Sequence, residues 1–333
     1  MLAAAMVGFK PHLQSRLTPL DHGIAGAVSG MATRALMQPF DVLKIRFQLQ
    51  VEPLQGPGAS VQKVPSKYTG ILQAGRTIYL EEGTTAFWKG HVPAQALSVV
   101  FGILQFTTFE YLTATAHPFV SEELSTGKAK PFFHFVCGGI SGCVATVACQ
   151  PIDVVRTRFV AQGEPKLYNS SLEAVRLMYR EAGALTFFKG LLPTLLQVFP
   201  LAGFQFGFYA LFKRIWEFVL DEPEQTSGIH ETTALKSFTC GALSGLCAKT
   251  TVYPLDLVKK RLQVQGFEEA RKSFGRVRRY HSMLHCAACT VREEGLRGMY
   301  KGLWPSTLKA VGTVGFTFCF YEKACHVLER RYF

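Results

Sequence analysis

The chain has 333 residues, 48% of them hydrophobic and only 18% charged, with a formal net charge of +12. This composition excludes a disordered chain, while the length fits either two soluble domains or about six membrane helices of roughly 20 residues each. The positive charge alone is compatible with nucleic acid, an anionic membrane surface or an anionic substrate.

Residues 1–18 contain no acid and lack the clean apolar core of a secretory signal, so they read as an N-terminal segment outside the fold, with Met6 a second candidate start. The first repeat, residues 19–119, opens on an apolar stretch, 21–38, in which Gly26, Ser29 and Gly30 set small side chains about one turn apart. That spacing lets membrane helices approach closely. The stretch runs into PFDVLKIR at Pro39. A proline inside an apolar helix bends its axis, and Asp41 and Lys44 lie three apart on one face that can hardly meet lipid, so the helix turns them toward polar space. A polar loop then leads to Trp88-Lys89-Gly90 with Pro93.

The same punctuation recurs in residues 131–222 and 234–330. Gly138 and Gly142 precede PIDVVRTR at Pro151, followed by Phe188-Lys189-Gly190 with Pro193; Gly241 and Gly245 precede PLDLVKKR at Pro254, followed by Tyr300-Lys301-Gly302 with Pro305. Three elements in one order, three times over, define an internal repeat.

Lys and Arg number six in residues 44–89, six in 156–189 and eleven in 259–301, against two in 112–131 and three in 213–236. The long loops therefore belong on the side that retains positive charge. The run Arg271, Lys272, Arg276, Arg278, Arg279 then reads as a solvated loop beside a membrane, not a nucleic-acid surface. The nine cysteines stand singly, several inside apolar runs, as reduced space-filling thiols do. His281, His285, Cys286 and Cys289 lack the regular spacing of a metal site, and no metal is expected there. No phosphate loop, His-Glu-x-x-His or Gly-x-Ser-x-Gly element points to an enzyme.

These motifs, covering residues 20 to 328, resemble the signature of the mitochondrial carrier family. The resemblance implies an all-α membrane protein of the mitochondrial inner membrane. Six tilted transmembrane helices would form a pseudo-threefold bundle of three repeats with three short matrix-side helices, acting as a monomer without a cofactor. It implies a matrix gate pairing Asp41 with Arg156, Asp153 with Lys259 and Asp256 with Lys44, braced by Gln48 and Gln263; Val160 stands where a third glutamine would be. The implied cytoplasmic gate is weak, with Glu110 facing Lys213 and Glu322 facing Thr113, so the empty carrier should favour the state open to the intermembrane space. Lys89-Gly90, Lys189-Gly190 and Lys301-Gly302 would hold cardiolipin phosphates at helix starts. The companion aromatic-x-Gly element is intact only at Tyr68-Thr69-Gly70, since Ser170 and Ser282 replace the other two glycines.

The residues five and one before each proline share a helical face: Arg34 and Gln38, Thr146 and Gln150, Lys249 and Tyr253. Arg34 and Lys249 have no acidic neighbour in sequence, and a bare charge at membrane depth costs about 2.5–3.5 kcal/mol, which marks it as functional. The resemblance adds Leu97, Ser98, Gln197, Val198 and Lys309 as substrate contacts. Three cations, Arg34, Lys249 and Lys309, ask for a phosphate or pyrophosphate, and Phe204, Phe208, Tyr253 and Phe316 could stack a ring. The residue chemistry stops at a phosphorylated aromatic metabolite. Segments such as KKRLQVQGFEEARKSFGRVRRY from Lys259 resemble the thiamine pyrophosphate branch of the family, implying exchange of that compound against nucleotides or thiamine monophosphate. Adenine nucleotides or coenzyme A are the alternative cargo.

Overall fold

The computed structural model describes residues 18–51, 67–116, 130–164, 166–220, 230–267 and 278–330. Residues 1–17, with Met6, and Arg271, Lys272 and Arg276 of the basic run lie outside the described residues. Each repeat contributes a long helix, a short helix and a second long helix. In chain order these are α1 (Pro19–Leu49), α2 (Ile71–Glu82), α3 (His91–Ala116), α4 (Lys130–Ala161), α5 (Ser171–Ala182), α6 (Leu191–Leu220), α7 (His230–Gln263), α8 (Met283–Gly298) and α9 (Leu303–Glu329).

The start of α1 is fixed locally. The Thr18 hydroxyl accepts from the Asp21 amide while the Asp21 carboxylate accepts from the Thr18 amide at 2.8 Å, and Pro19 supplies the first helical residue. The signature prolines Pro39, Pro151 and Pro254 lie inside α1, α4 and α7 and do not end them. At 31 residues and about 1.5 Å of rise per residue, α1 is about 46 Å long. That exceeds a hydrocarbon core of about 30 Å, so its last turns reach beyond one. The first two short helices stop at a glycine with positive φ, Gly83 or Gly183, and α8 kinks at the third, Gly295, as the chain turns back toward the second long helix.

The six long helices close a ring, with α3 against α4, α6 against α7 and α9 against α1, while α1, α4 and α7 also touch one another. Burial is concentrated at the end bearing the short helices, where Val42, Ile45 and Leu49 of α1 pack with Val154, Val155 and Val160 of α4, Met178 of α5, and Val264 and Phe267 after α7. Elsewhere the long helices expose apolar side chains outward, among them Val28, Met31, Val99, Ile103, Val144, Phe206, Phe218, Leu243 and Val311. Such a belt is unfavourable in water and suits lipid. Three stretches, Thr84–Ala116, Phe132–Ala161 and Ala184–Val219, are long and apolar enough to cross a membrane. The stretches of α1, α7 and α9 are diluted by Arg34, Lys249 and Lys309 together with many small and polar residues.

The expected close approach at the small-residue stripes is found only in the second repeat. A Cβ on Gly142 would lie 3.3 Å from Val198, and one on Gly139 would strike Phe199, whereas Gly26, Gly30, Gly241 and Gly245 face open space. In all three repeats the serine of the stripe is buried. Ser29, Ser141 and Ser244 each donate back to the carbonyl three residues earlier, at 3.0, 2.9 and 2.9 Å. This satisfies the hydroxyl within its own helix, so the serine can be buried with no partner helix supplying a bond.

Candidate functional site

Just beyond the prolines, α1, α4 and α7 meet in a ring of charge. Arg156 lies 2.7 Å from Asp41, Lys259 2.8 Å from Asp153, and Lys44 2.6 Å from Asp256. Gln48 donates to Asp256 at 3.2 Å and Gln263 to Asp153 at 2.8 Å. Lys260, which the motif reading passed over, also reaches Asp153 at 3.1 Å and Thr157 at 2.9 Å. Val160 is fully buried and offers no bond.

Beneath this ring lies a second one, built from residues at matching offsets. Gln38, Gln150 and Tyr253, one before each proline, donate to the carbonyls of Lys89, Lys189 and Lys301 at 3.2, 2.9 and 2.9 Å. Gln150 and Tyr253, expected as substrate contacts, here tie the first long helix to the Lys-Gly turn of the same repeat, and both are about 1% exposed.

The lysines of those turns, expected at cardiolipin phosphates, are held here by partners within the protein. Lys89 lies 2.5 Å from Glu82, Lys189 donates to Gln265 O at 2.9 Å, and Lys301 lies 2.7 Å from Glu294. They turn into the protein because a buried carboxylate or a helix-end carbonyl holds an ammonium better than an open surface does. Between the starts of α3 and α5 a cleft of about 310 Å³ is lined by Gly90, His91, Lys166 and Ser170, even though Ser170 interrupts the aromatic-x-Gly element.

The arginine that closes each signature, given no role of its own by the motif, joins the repeats in a cycle. Arg46, Arg158 and Arg261 are almost completely buried. Arg46 donates to Gln162 O at 3.4 Å, Arg158 to Gln265 O at 2.7 Å, and Arg261 to Gln48 O at 3.1 Å, each at the end of the next repeat's first long helix. Arg46 also forms a two-pronged pair with Glu82, and Arg261 pairs with Glu294 at 2.7 Å. The side chains of Gln50 and Gln162 bond both backbone groups of Tyr68 and Tyr168, and that of Gln265 donates to Tyr280 O. The signal was available: a glutamine stands eleven after each signature proline, and Glu82 and Glu294 each stand seven before a Lys-Gly lysine. Burial alone would raise the Glu82 carboxyl, but the hydrogen bond and charge of Arg46, then those of Lys89, hold it below the usual carboxylate range. Burial pushes the Tyr68 hydroxyl up to about 12, with Arg46 opposing.

None of the three expected substrate cations stands bare. Arg34 donates to Ala94 O at 3.1 Å and to the Ser98 hydroxyl, and Lys249 donates to Ser306 O at 3.1 Å. These partners are uncharged, so neither contact is an ion pair. Lys309 instead lies 2.6 Å from Asp41 and shares the carboxylate oxygen that Arg156 binds. Thr146 is buried, Leu97 is half-buried, and Val198 packs beside Gly142. The side-chain carbonyl of Gln197 is a buried acceptor with no hydrogen-bond partner.

At the opposite end the expected partners are apart. No ion pair joins Glu110 to Lys213 among the described residues; Lys213 turns to Glu217, one turn on, at 3.7 Å. Thr113 donates to the carbonyls of Phe109 and Glu110 in its own helix, and Glu322 is exposed. The His281 amide donates to the His285 ring at 3.2 Å, while Cys286 and Cys289 are buried beside Leu257 and Val258. Burial pushes the Cys286 thiol up to about 12.

The sequence pattern of mitochondrial carrier proteins matches residues 15–118, 127–219 and 230–332. The mitochondrial thiamine pyrophosphate carrier of Bos taurus is 50% identical to this chain over 323 residues, covering 96% of this chain and 97% of its own. That of Homo sapiens is 49% identical over 326 residues, covering 97% of each, and the mitochondrial thiamine diphosphate carrier 1 of Arabidopsis thaliana is 36% identical over 313 residues, covering 92% and 93%. With a ring of paired charges, a cycle of contacts linking three like repeats and this agreement over nearly the whole length, the chain belongs to the mitochondrial carrier family.

Proposed function

We propose that this protein carries thiamine pyrophosphate across the mitochondrial inner membrane, in exchange for nucleotides or thiamine monophosphate, by alternating access. The observation that carries the reading is half identity over nearly the full length to carriers named for that substrate. In this reading all six long helices span the membrane as a pseudo-threefold bundle, and the charge ring is a matrix gate, shut here while the cytoplasmic residues stand apart. Arg34 and Lys249, charged but paired only with neutral groups, supply the field for the diphosphate. The Gln197 carbonyl is an unclaimed acceptor for a donor on the substrate. Gly90 and the cleft beside it are where cardiolipin would meet backbone amides without help from Lys89.

The test is exchange by the purified chain in liposomes, with thiamine pyrophosphate, adenine nucleotides and coenzyme A offered in turn. Thiamine pyrophosphate should be the preferred cargo. Replacing Arg34 or Lys249 by Ala should weaken it by roughly tenfold, since a charged hydrogen bond contributes about 1.5–3 kcal/mol. Thiamine monophosphate should lose less. Preference for coenzyme A or an adenine nucleotide, with thiamine pyrophosphate ignored, would overturn the assignment.

A further inference from the structure

The three gate pairs are equivalent in sequence offset but not in how they are held. Lys44–Asp256 and Lys259–Asp153 each receive a glutamine side chain, from Gln48 and Gln263. Arg156–Asp41 receives none, because the matching position is Val160. At that one pair a different side chain intervenes: Lys309 of α9 places its ammonium 2.6 Å from the Asp41 oxygen that Arg156 holds at 2.7 Å. The positions matching Lys309, seven after each Lys-Gly glycine, are Leu97 and Gln197, and neither can form an ion pair. The chain thus has an uncharged residue on that face wherever the glutamine brace is present, and a cation where it is absent.

We infer that Lys309 is the third brace of the matrix gate and that substrate withdraws it. The inference rests on the diphosphate-carrier reading above. A glutamine brace is indifferent to cargo, because an amide gains little by leaving a carboxylate for a phosphate. A lysine is different: its ammonium bonds equally well to carboxylate or phosphate oxygen, and a diphosphate drawn to Arg34, about two turns along α1 from Asp41, competes for it. Lys309 moving to the phosphate leaves Asp41 with Arg156 alone, so the gate opens at its unbraced pair when cargo is present and stays shut when it is not. The coupling follows from one cation serving two anions in turn, and a ligand that binds both gate states alike would shift nothing.

The geometry also supplies the control. Val160 occupies the niche beside Gly90 that Gln263 occupies beside Gly190 and Gln48 beside Gly302, so Val160→Gln puts the missing brace where its counterparts sit. Purified full-length protein is compared as wild type, Lys309→Leu, Lys309→Arg and Val160→Gln with Lys309→Leu. Two quantities are read: the thermal midpoint without ligand and the affinity for thiamine pyrophosphate. Lys309→Leu should lower the ligand-free midpoint and weaken binding by about tenfold or more. Lys309→Arg should hold the midpoint. The double variant should recover the midpoint without recovering affinity, which a residue that serves only as ligand cannot produce. A ligand-free midpoint unchanged in Lys309→Leu would overturn the brace, as would a double variant no more stable than Lys309→Leu while Lys309→Arg also fails to hold it. If wild type binds no thiamine pyrophosphate while the stability pattern holds, the brace stands and the substrate reading with its release step falls.

Discussion

Asp153 and Asp256 occupy equivalent places, yet their surroundings differ by one ammonium. Asp153 meets Lys259, Lys260 and Gln263, whereas Asp256 meets Lys44 and Gln48. Asp256→Lys should abolish exchange, and adding Lys44→Asp should restore a substantial part of it. Asp153→Lys with Lys259→Asp should recover much less, because Lys260 then faces the new cation. Exchange rates at matched protein levels decide it, and equal recovery in the two double variants would contradict the role given to Lys260. A second residue-scale expectation concerns Glu82, whose side chain is 2% exposed between Arg46 and Lys89. Removing one partner of a buried pair costs about 3–5 kcal/mol, so Glu82→Gln should be strongly destabilising at neutral pH. Because the folded-state carboxyl lies below its unfolded value of about 4.3, its contribution is complete above that pH and is lost as pH falls through the lower folded value. The gap in thermal midpoint between wild type and Glu82→Gln should therefore shrink below about pH 4; a gap independent of pH would argue that Glu82 is not charged in the fold.

Among the elements, the Lys-Gly turns and the small-residue stripes look alike on paper, being glycines at fixed offsets, and the structure separates them. Gly302 has φ +82, and a Cβ there would lie 2.8 Å from Lys44 O and 2.9 Å from the Tyr253 hydroxyl. Gly26 is helical with open space around it. Gly302→Ala should cost more than the about 1 kcal/mol of the left-handed backbone, since the main chain of α1 cannot move aside. Gly26→Ala should be neutral or stabilising by up to about 1 kcal/mol, as helix propensity predicts. Thermal midpoints of the two variants check this, and a Gly26→Ala protein as unstable as Gly302→Ala would show that the first stripe is packed after all. The turns were legible as motifs, but the inward turn of Lys89, Lys189 and Lys301 was not. Glu82 and Glu294, seven before Lys89 and Lys301, were a local cue that carried no direction by itself, and Lys189 is held by Gln265, 76 residues away.

For the molecule as a whole, the packed core sits at the end with the short helices and the charge ring, and the other end holds no pair between Glu110 and Lys213. In the alternating-access reading proposed above, the carrier moves toward whichever closed end has more bonds, so strengthening the end where these partners stand apart should shift the balance. Thr113→Lys offers Glu322 a cation in the arrangement the motif implies. It should slow exchange several-fold while leaving folded yield intact, because the empty protein then leaves the described state more often. Unchanged exchange, with unchanged access of an impermeant thiol reagent to either side, would mean that Glu322 and the residue at 113 never meet.

Punctuation in the sequence was enough to find the three repeats and the residues that carry charge past each proline, because those features depend on covalent spacing, while the long and short helices followed from the family resemblance. The gate pairing also followed, through family resemblance, and the structure brings those six side chains together. Three further features depended on the closed ring. Gln150 and Tyr253 bind turn carbonyls, buried arginines join each repeat to the next, and Lys309 leans on Asp41. Each is a contact between residues 39 to 268 positions apart, made only when one repeat packs against another or a helix folds back on its own turn. The sequence shows that Val160 and Lys309 depart from the threefold pattern, but not that the two departures meet at one ion pair. It is the packing of α9 against α1 that places a cation beside the one aspartate whose pair lacks a glutamine.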